Sequence, residues 1–179
     1  MKVWEYESNE NDKLAKQVEK NNDIVMTNPE MAIHLLSLIQ FKEGDILLEP
    51  CKGKGAFYDN FPDNTINKYC EINEGLDFLD YDENDKVDYV LSNPPFVPRK
   101  VFWSFQQKAM KVCNNEIYWL INMGSLNVFT PKRLREMSEE GWYINSFHIV
   151  SDKRWYGRYV WVKISKINNN FISYQQGSF

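Results

Sequence analysis

Ile46-Leu47-Leu48-Glu49-Pro50-Cys51-Lys52-Gly53-Lys54-Gly55-Ala56-Phe57-Tyr58 reads as a strand, a glycine loop and the start of a helix in immediate succession. The apolar run Ile46 to Leu48 is short enough for a buried strand. Glycines at alternate positions let the backbone approach a ligand closely, and a helix start beyond them offers unpaired amides to an anion. The loop is therefore a candidate cofactor cradle, although glycine turns after strands are common in their own right. A second strand around Lys68-Tyr69-Cys70 ends at Glu71. An acid at that place in a strand-helix-strand unit can grip two ribose hydroxyls, or it can be solvated.

Downstream, Val87-Asp88-Tyr89-Val90-Leu91-Ser92 is another strand-like run and delivers Asn93-Pro94-Pro95-Phe96 at its carboxyl end. Such ends are where α/β sheets build sites. Two prolines fix φ and remove two amide donors, so carbonyls and the Asn93 amide can be held toward a ligand with little freedom. Phe96 adds a flat apolar face. In isolation, an Asn-Pro-Pro turn in which Asn93 caps its own backbone would be the simpler reading. Here it follows a glycine loop at a suitable distance.

Outward from this centre, apolar runs alternate with amphipathic segments in a βαβα order without internal repeats, which predicts an α/β domain. On the N-terminal side, Thr27 stands three residues before Glu30 with Pro29 between. That spacing predicts a helix capped by Thr27 and running to about Gln40, with Met31, Ile33, Leu35, Leu36, Leu38 and Ile39 on its buried face. On the C-terminal side a helix is expected over Phe102 to Cys113, a strand over Glu116 to Met123 and a helix over Pro131 to Glu140. Tyr143 to Val150 and Tyr159 to Ile164 are expected to form a terminal antiparallel pair. Residues 1–22 read as a polar extension, 23–167 as the domain and 168–179 as a polar tail.

The whole chain, 179 residues with a net charge of -4, fits one domain. The charge is segregated: up to Phe96 there are 9 Lys and Arg against 20 Asp and Glu, a balance of -11, and from Val97 onward 12 against 5, a balance of +7. The basic half, including Arg99, Lys100, Lys132, Arg133, Arg135, Lys153, Arg154 and Arg158, could face phosphates or simply be a solvated surface. Lys153-Arg154-Trp155-Tyr156-Gly157-Arg158 interleaves cations with aromatics, a pattern suited to phosphate and to an unpaired base, and equally to packing at a hairpin. No apolar run approaches membrane-spanning length, and Met1 to Asn22 lacks the apolar region of a signal peptide, so a cytoplasmic protein is expected. Cys51, Cys70 and Cys113 suggest reduced thiols and no zinc site. His34 and His148 lie far apart in sequence and are expected to be structural. No metal is expected.

Glu49-Pro50-Cys51-Lys52-Gly53-Lys54-Gly55 and Asn93-Pro94-Pro95-Phe96 together resemble the cofactor loop and catalytic tetrapeptide of class I S-adenosylmethionine-dependent amino-methyltransferases, chiefly the adenine-N6 family. The resemblance spans roughly residues 23–166. It implies a Rossmann-like, mostly parallel sheet with a terminal antiparallel hairpin and helices on both faces. It also implies S-adenosylmethionine as cofactor and nucleic acid as substrate, DNA ahead of RNA. Thr27, with Asn28 and Pro29, would correspond to the flanking motif near the methionine end, departing from the family in that Asn28 intervenes. Glu49, Pro50 and the amides of Gly53 and Gly55 would hold the amino-acid moiety, Glu71 the ribose, and Asp77 with Phe78 the adenine.

By the same resemblance Asn93 and Pro94 would accept the hydrogens of an exocyclic amine, while Pro95 stiffens the turn and Phe96 stacks on the base. Arg99, Lys100, Lys153, Arg154, Trp155 and Arg158 would contact nucleic acid. Glutamine-N5 protein methyltransferases share a similar tetrapeptide, usually with Tyr where this chain has Phe96. An inactive cofactor-binding partner subunit is a third reading, against which the intact tetrapeptide argues. Pro50-Cys51 also resembles the nucleophile dipeptide of cytosine-C5 enzymes, but it falls inside the cofactor loop. With no separate target-recognition domain expected, specificity would come from short loops, nucleic-acid shape or a protein partner.

Overall fold

In the computed structural model, which describes residues 26–96, 99–152 and 158–172, six strands form one sheet in the order β2-β1-β3-β4-β6-β5. In chain order the elements are α1 (Pro29–Ser37), β1 (Ile46–Glu49), β2 (Ile66–Tyr69), β3 (Val87–Ser92), α2 (Arg99–Val112), β4 (Cys113–Asn122), α3 (Pro131–Glu139), β5 (Tyr143–Val150) and β6 (Tyr159–Ser165). Strands β2, β1, β3 and β4 pair in parallel, and β6 runs antiparallel to both β4 and β5. This is the Rossmann-like sheet with a terminal antiparallel hairpin that the resemblance implied, within the α/β class that the alternation of elements predicted. No helix among the described residues is long and apolar enough to cross a membrane.

Alternation along β4 explains how both sheet faces are covered, because neighbouring side chains on a strand point to opposite sides. Trp119 faces α2, where Phe102 meets it edge-on and Gln106 Oε1 accepts its indole N–H at 2.6 Å. Tyr118 faces the other way and stacks on Trp161 of β6, which in turn stacks on Phe57. Phe57 stands just before a short 3₁₀ turn (Tyr58–Asn60) that packs against α1. The core thus runs continuously from α1 through the sheet to α2.

Several boundaries differ from expectation. The cap of α1 is Asn28, whose Oδ1 accepts the Glu30 amide at 3.1 Å, and Thr27 is left for another partner. The helix ends at Ser37 rather than near Gln40, and only Ala32, Leu35 and Leu36 of its residues are buried, with Ile33 and Leu38 exposed. The expected helix after the glycine loop is replaced by turns and the single 3₁₀ turn. Residues 168–172, assigned to the tail, pack back on β5: Asn169 donates to the Asn145 carbonyl at 3.0 Å and Phe171 meets Phe147 edge-on. His34 of α1 and His148 of β5 come together at the surface with ring centroids 5.5 Å apart.

The strand order reverses between β1 and β3, since the chain leaves β1 toward β2 on one side and returns to β3 on the other. Connections diverging from neighbouring strands leave a crevice at their carboxyl ends, the place where open α/β sheets bind ligands. The loop after β1 and the tetrapeptide after β3 border it.

Candidate functional site

A cavity of about 520 Å³ fills this crevice. It is lined by Thr27, Glu49, Pro50, Gly53, Glu71, Asp77, Phe78 and all four residues Asn93, Pro94, Pro95 and Phe96, so Thr27 and Asn93, 66 positions apart in sequence, share one wall. Of the expected binding residues among those described, Gly55 is not in the lining. Its role is conformational: with φ +81° it sits where side chains are strained, and a Cβ there would overlap the Asp59 carboxylate.

Glu49 ends β1 with only 2% of its surface exposed. One carboxylate oxygen accepts the Tyr58 amide at 2.8 Å, so the donor expected to be open to a ligand at the turn's N-terminal end is used by the protein's own acid. Burial pushes the Glu49 carboxyl well above the usual carboxylate range; the Tyr58 hydrogen bond opposes this and the nearby Asp59 carboxylate adds to it. A cationic ligand group beside it would favour the ionised form and oppose this rise.

Glu71, buried at the end of β2, is fixed from three directions. One oxygen accepts the Gly53 amide at 2.8 Å, and the other accepts the Asn73 amide at 3.0 Å and its side-chain N–H at 2.8 Å. Asp77 caps a 3₁₀ turn (Phe78–Asp80) by accepting the Leu79 amide at 2.9 Å. The Phe78 ring is buried against Phe105, 5.2 Å between centroids, and contributes to the core as well as to the wall. The apolar rim comes instead from residues that sequence reasoning missed: Ile72, Leu76 and Leu79 are 71%, 47% and 38% exposed along the turns after Glu71. Their signal was adjacency to Glu71 and Asp77, since no periodicity marks apolar residues in turns.

Asn93 leaves the end of β3 and donates from Nδ2 to Thr27 Oγ1 at 3.1 Å. This bond ties the segment before α1 to the tetrapeptide and fixes the amide's orientation. Pro94 is buried and Pro95 exposed. Phe96 is 5% exposed and meets Tyr159, the first residue of β6, edge-on at 6.3 Å. Cys51 also lines the cavity, but burial, together with the Glu49 and Glu71 carboxylates, pushes its thiol far up, which suits no nucleophile.

Of the expected nucleic-acid contacts, Arg99 and Lys100 are exposed at the first turn of α2, soon after Phe96, and Arg158 is exposed beside Tyr159. Lys153, Arg154 and Trp155 lie outside the described residues. Arg133 is committed elsewhere, donating to the Val128 carbonyl at 2.9 Å and lying 4.8 Å over the Trp103 ring.

No protein-family model matches the chain, and no curated protein matches it. Solved structures do. Magnesium protoporphyrin IX methyltransferase from Synechocystis, with bound SAM, superposes with a TM-score of 0.56 at 8% identity over 90% of this chain and 86% of its own. An rRNA methylase from Streptococcus thermophilus gives 0.55 at 8% identity over 80% and 99%. The modification subunit of a proposed type I restriction enzyme from Vibrio vulnificus gives 0.55 at 12% identity over 87% of this chain and 48% of its own. At these identities the likeness establishes the shared class I methyltransferase fold.

Proposed function

We propose that this chain transfers the methyl group of S-adenosylmethionine to the exocyclic N6 amine of adenine in nucleic acid, DNA in preference to RNA. The observation that carries the reading is the Thr27–Asn93 hydrogen bond in the cavity wall. With Nδ2 turned to Thr27, the amide turns its oxygen rather than its nitrogen to a substrate N–H. An adenine amine is a poor nucleophile because its lone pair is delocalised into the ring. An amide oxygen and the Pro94 carbonyl, each accepting one N6 hydrogen, stabilise the positive charge that develops on nitrogen as it attacks, and fixed dipoles do this without reorganisation. The departing proton passes to solvent, and no strong base is required.

The cavity suits the cofactor. Its volume lies within the range of about 300–1,000 Å³ common for small-molecule sites. In this reading Glu49 takes the ammonium group, Glu71 the ribose hydroxyls, Asp77 the adenine amine, and the rim of Ile72, Leu76 and Leu79, all of which line the cavity, the ring faces. When bound, the cofactor supplies an electrophilic methyl group on its sulfonium. Phe96, already in the wall, stacks on an extruded base once its edge contact with Tyr159 loosens. Arg99, Lys100 and Arg158 flank the tetrapeptide and take phosphates. The likeness to an rRNA methylase and to a restriction modification subunit is in keeping with a nucleic-acid substrate, with a protein partner or the short loops supplying specificity.

The test is transfer from labelled S-adenosylmethionine to separate pools of single-stranded DNA, duplex DNA and RNA, with nucleosides identified by mass spectrometry. N6-methyldeoxyadenosine above N6-methyladenosine is the expected product. Label on none of the pools, while a protein acceptor gains N5-methylglutamine, would replace this reading with the protein-modifying one.

The raised Glu49 carboxyl gives a pH dependence with a definite sign. Below its folded-state pKa, Glu49 is neutral and pairs weakly with an ammonium, so affinity for S-adenosylhomocysteine should fall as pH is lowered through that raised value. The unliganded fold moves oppositely: a carboxyl whose pKa is raised on folding contributes most below the unfolded value, and that contribution is lost as pH rises through the folded value. Calorimetric titrations across that value check the first effect, and Glu49→Gln should flatten it. A pH-independent Kd in the parent protein would remove Glu49 from the ammonium site.

A further inference from the structure

From Lys52 to Gly55, every N–H donor except those of Lys54 can be followed to a partner. The Lys52 amide donates to the Cys70 carbonyl at 3.0 Å, the Gly53 amide to Glu71 Oε2 at 2.8 Å and the Gly55 amide to the Lys52 carbonyl at 2.8 Å. The Lys52 ammonium is 2.9 Å from Glu74 Oε1 and 3.7 Å from the centroid of the Tyr69 ring. The Gly53 and Gly55 amides, the donors that a glycine loop would be expected to offer to a ligand carboxylate, are therefore turned inward. Backbone donors satisfied within the protein gain nothing from a ligand that would have to displace a carboxylate or carbonyl already in place.

Lys54 remains. It lies between two glycines in left-handed conformations, Gly53 at φ +54° and Gly55 at φ +81°, and this turn puts it in the cavity wall while leaving it exposed. Among the described residues neither its amide nor its ammonium has a hydrogen bond or ion pair. The acids on this side of the cavity, Glu49 and Glu71, suit an ammonium and not a carboxylate. A zwitterionic ligand end placed here needs a cation for its negative group, and Lys52 is already paired.

We propose that the Lys54 ammonium is the counter-charge for the α-carboxylate of the cofactor's amino-acid end, so that this chain selects ligands carrying that carboxylate. The inference rests on the S-adenosylmethionine reading above and adds a specificity-determining residue to it. The division of labour is Glu49 for the ammonium and Lys54 for the carboxylate, with the loop amides serving to lock Glu71 and the turn.

The experiment is calorimetric binding of three ligands to the full chain and to Lys54→Ala and Lys54→Arg: S-adenosylhomocysteine, decarboxylated S-adenosylmethionine and 5′-methylthioadenosine. Lys54→Ala should weaken S-adenosylhomocysteine about tenfold, the scale of one hydrogen bond to a charged group, and leave the two ligands without a carboxylate unchanged. Lys54→Arg should restore most of the loss. Unchanged S-adenosylhomocysteine affinity in Lys54→Ala would overturn the assignment, as would an equal loss for all three ligands, which would mark a role in loop structure. Failure of the parent chain to bind any of the three would instead overturn the cofactor reading itself.

Discussion

Asn93→Ala should lower methyl transfer by about a hundredfold to a thousandfold, the cost of removing one preorganised acceptor or donor from a developing charge, while the Kd for S-adenosylhomocysteine changes little. The split follows from where Asn93 sits. Its amide is at the carboxyl end of β3, on the tetrapeptide side of the cavity, whereas of the acids proposed to hold the cofactor, Glu49 ends β1, and Glu71 and Asp77 come from the segment after β2. Loss of the amide removes an interaction that strengthens only as nitrogen gains charge, so turnover falls and ligand binding does not. Single-turnover transfer together with calorimetry separates the two. Because Asn93 also holds Thr27, Thr27→Val is the informative companion: it keeps the side-chain volume, deletes the acceptor for Nδ2, and should reduce transfer by less than Asn93→Ala does. Parallel loss of transfer and of ligand affinity in Asn93→Ala would assign the residue to folding.

Phe57→Ala should destabilise the fold by about 3–5 kcal/mol, as for a large aromatic removed from a close-packed interior. Phe57 is 1% exposed and lies flat on Trp161, 5.3 Å between centroids with 9° between planes, and Trp161 continues the stack to Tyr118. The stack joins the end of the glycine loop to β6 and β4 at the far side of the sheet, so the cavity created is walled by residues that the sheet prevents from collapsing inward. Urea unfolding of the variant measures the effect. Since Tyr58, whose amide binds Glu49, directly follows Phe57, the surviving folded fraction should also bind S-adenosylhomocysteine more weakly. A loss near 1 kcal/mol, at the low end for core substitutions, would mean that α1 moves in to fill the gap.

Much of the architecture was legible because it is local. Strands β1, β3 and β4 are short apolar runs buried on both faces, and α2 and α3 carry their own helical spacing, so each announces itself within a few residues. The glycine pair and Asn93-Pro94-Pro95-Phe96 were visible for the same reason: a turn and a stiffened loop are written in adjacent residues. What failed were readings in which two local rules competed. Thr27 and Asn28 are both good capping residues, and spacing to Glu30 favoured Thr27, yet Asn28 caps because Thr27 is drawn away by Asn93. Ala56-Phe57-Tyr58 looked like a helix start, but Phe57 is held by Trp161 and the Tyr58 amide by Glu49, so the chain makes one 3₁₀ turn instead of propagating.

The sequence by itself determined the order of elements, the two loops that border the crevice and the identity of the acids and amide that face it, since hydrophobic period, proline and glycine act over one or two turns of chain. The tertiary structure alone decided how those groups are used. It brought Thr27 to Asn93 and Phe96 to Tyr159, turned the Gly53 and Gly55 amides inward, gathered Ile72, Leu76 and Leu79 into a rim and left Lys54 as the loop's open cation. Those outcomes depend on which donors and acceptors meet after the sheet has assembled. A hydrogen bond between residues 66 apart is set by the packing of every element between them and leaves no trace in the local pattern of either end.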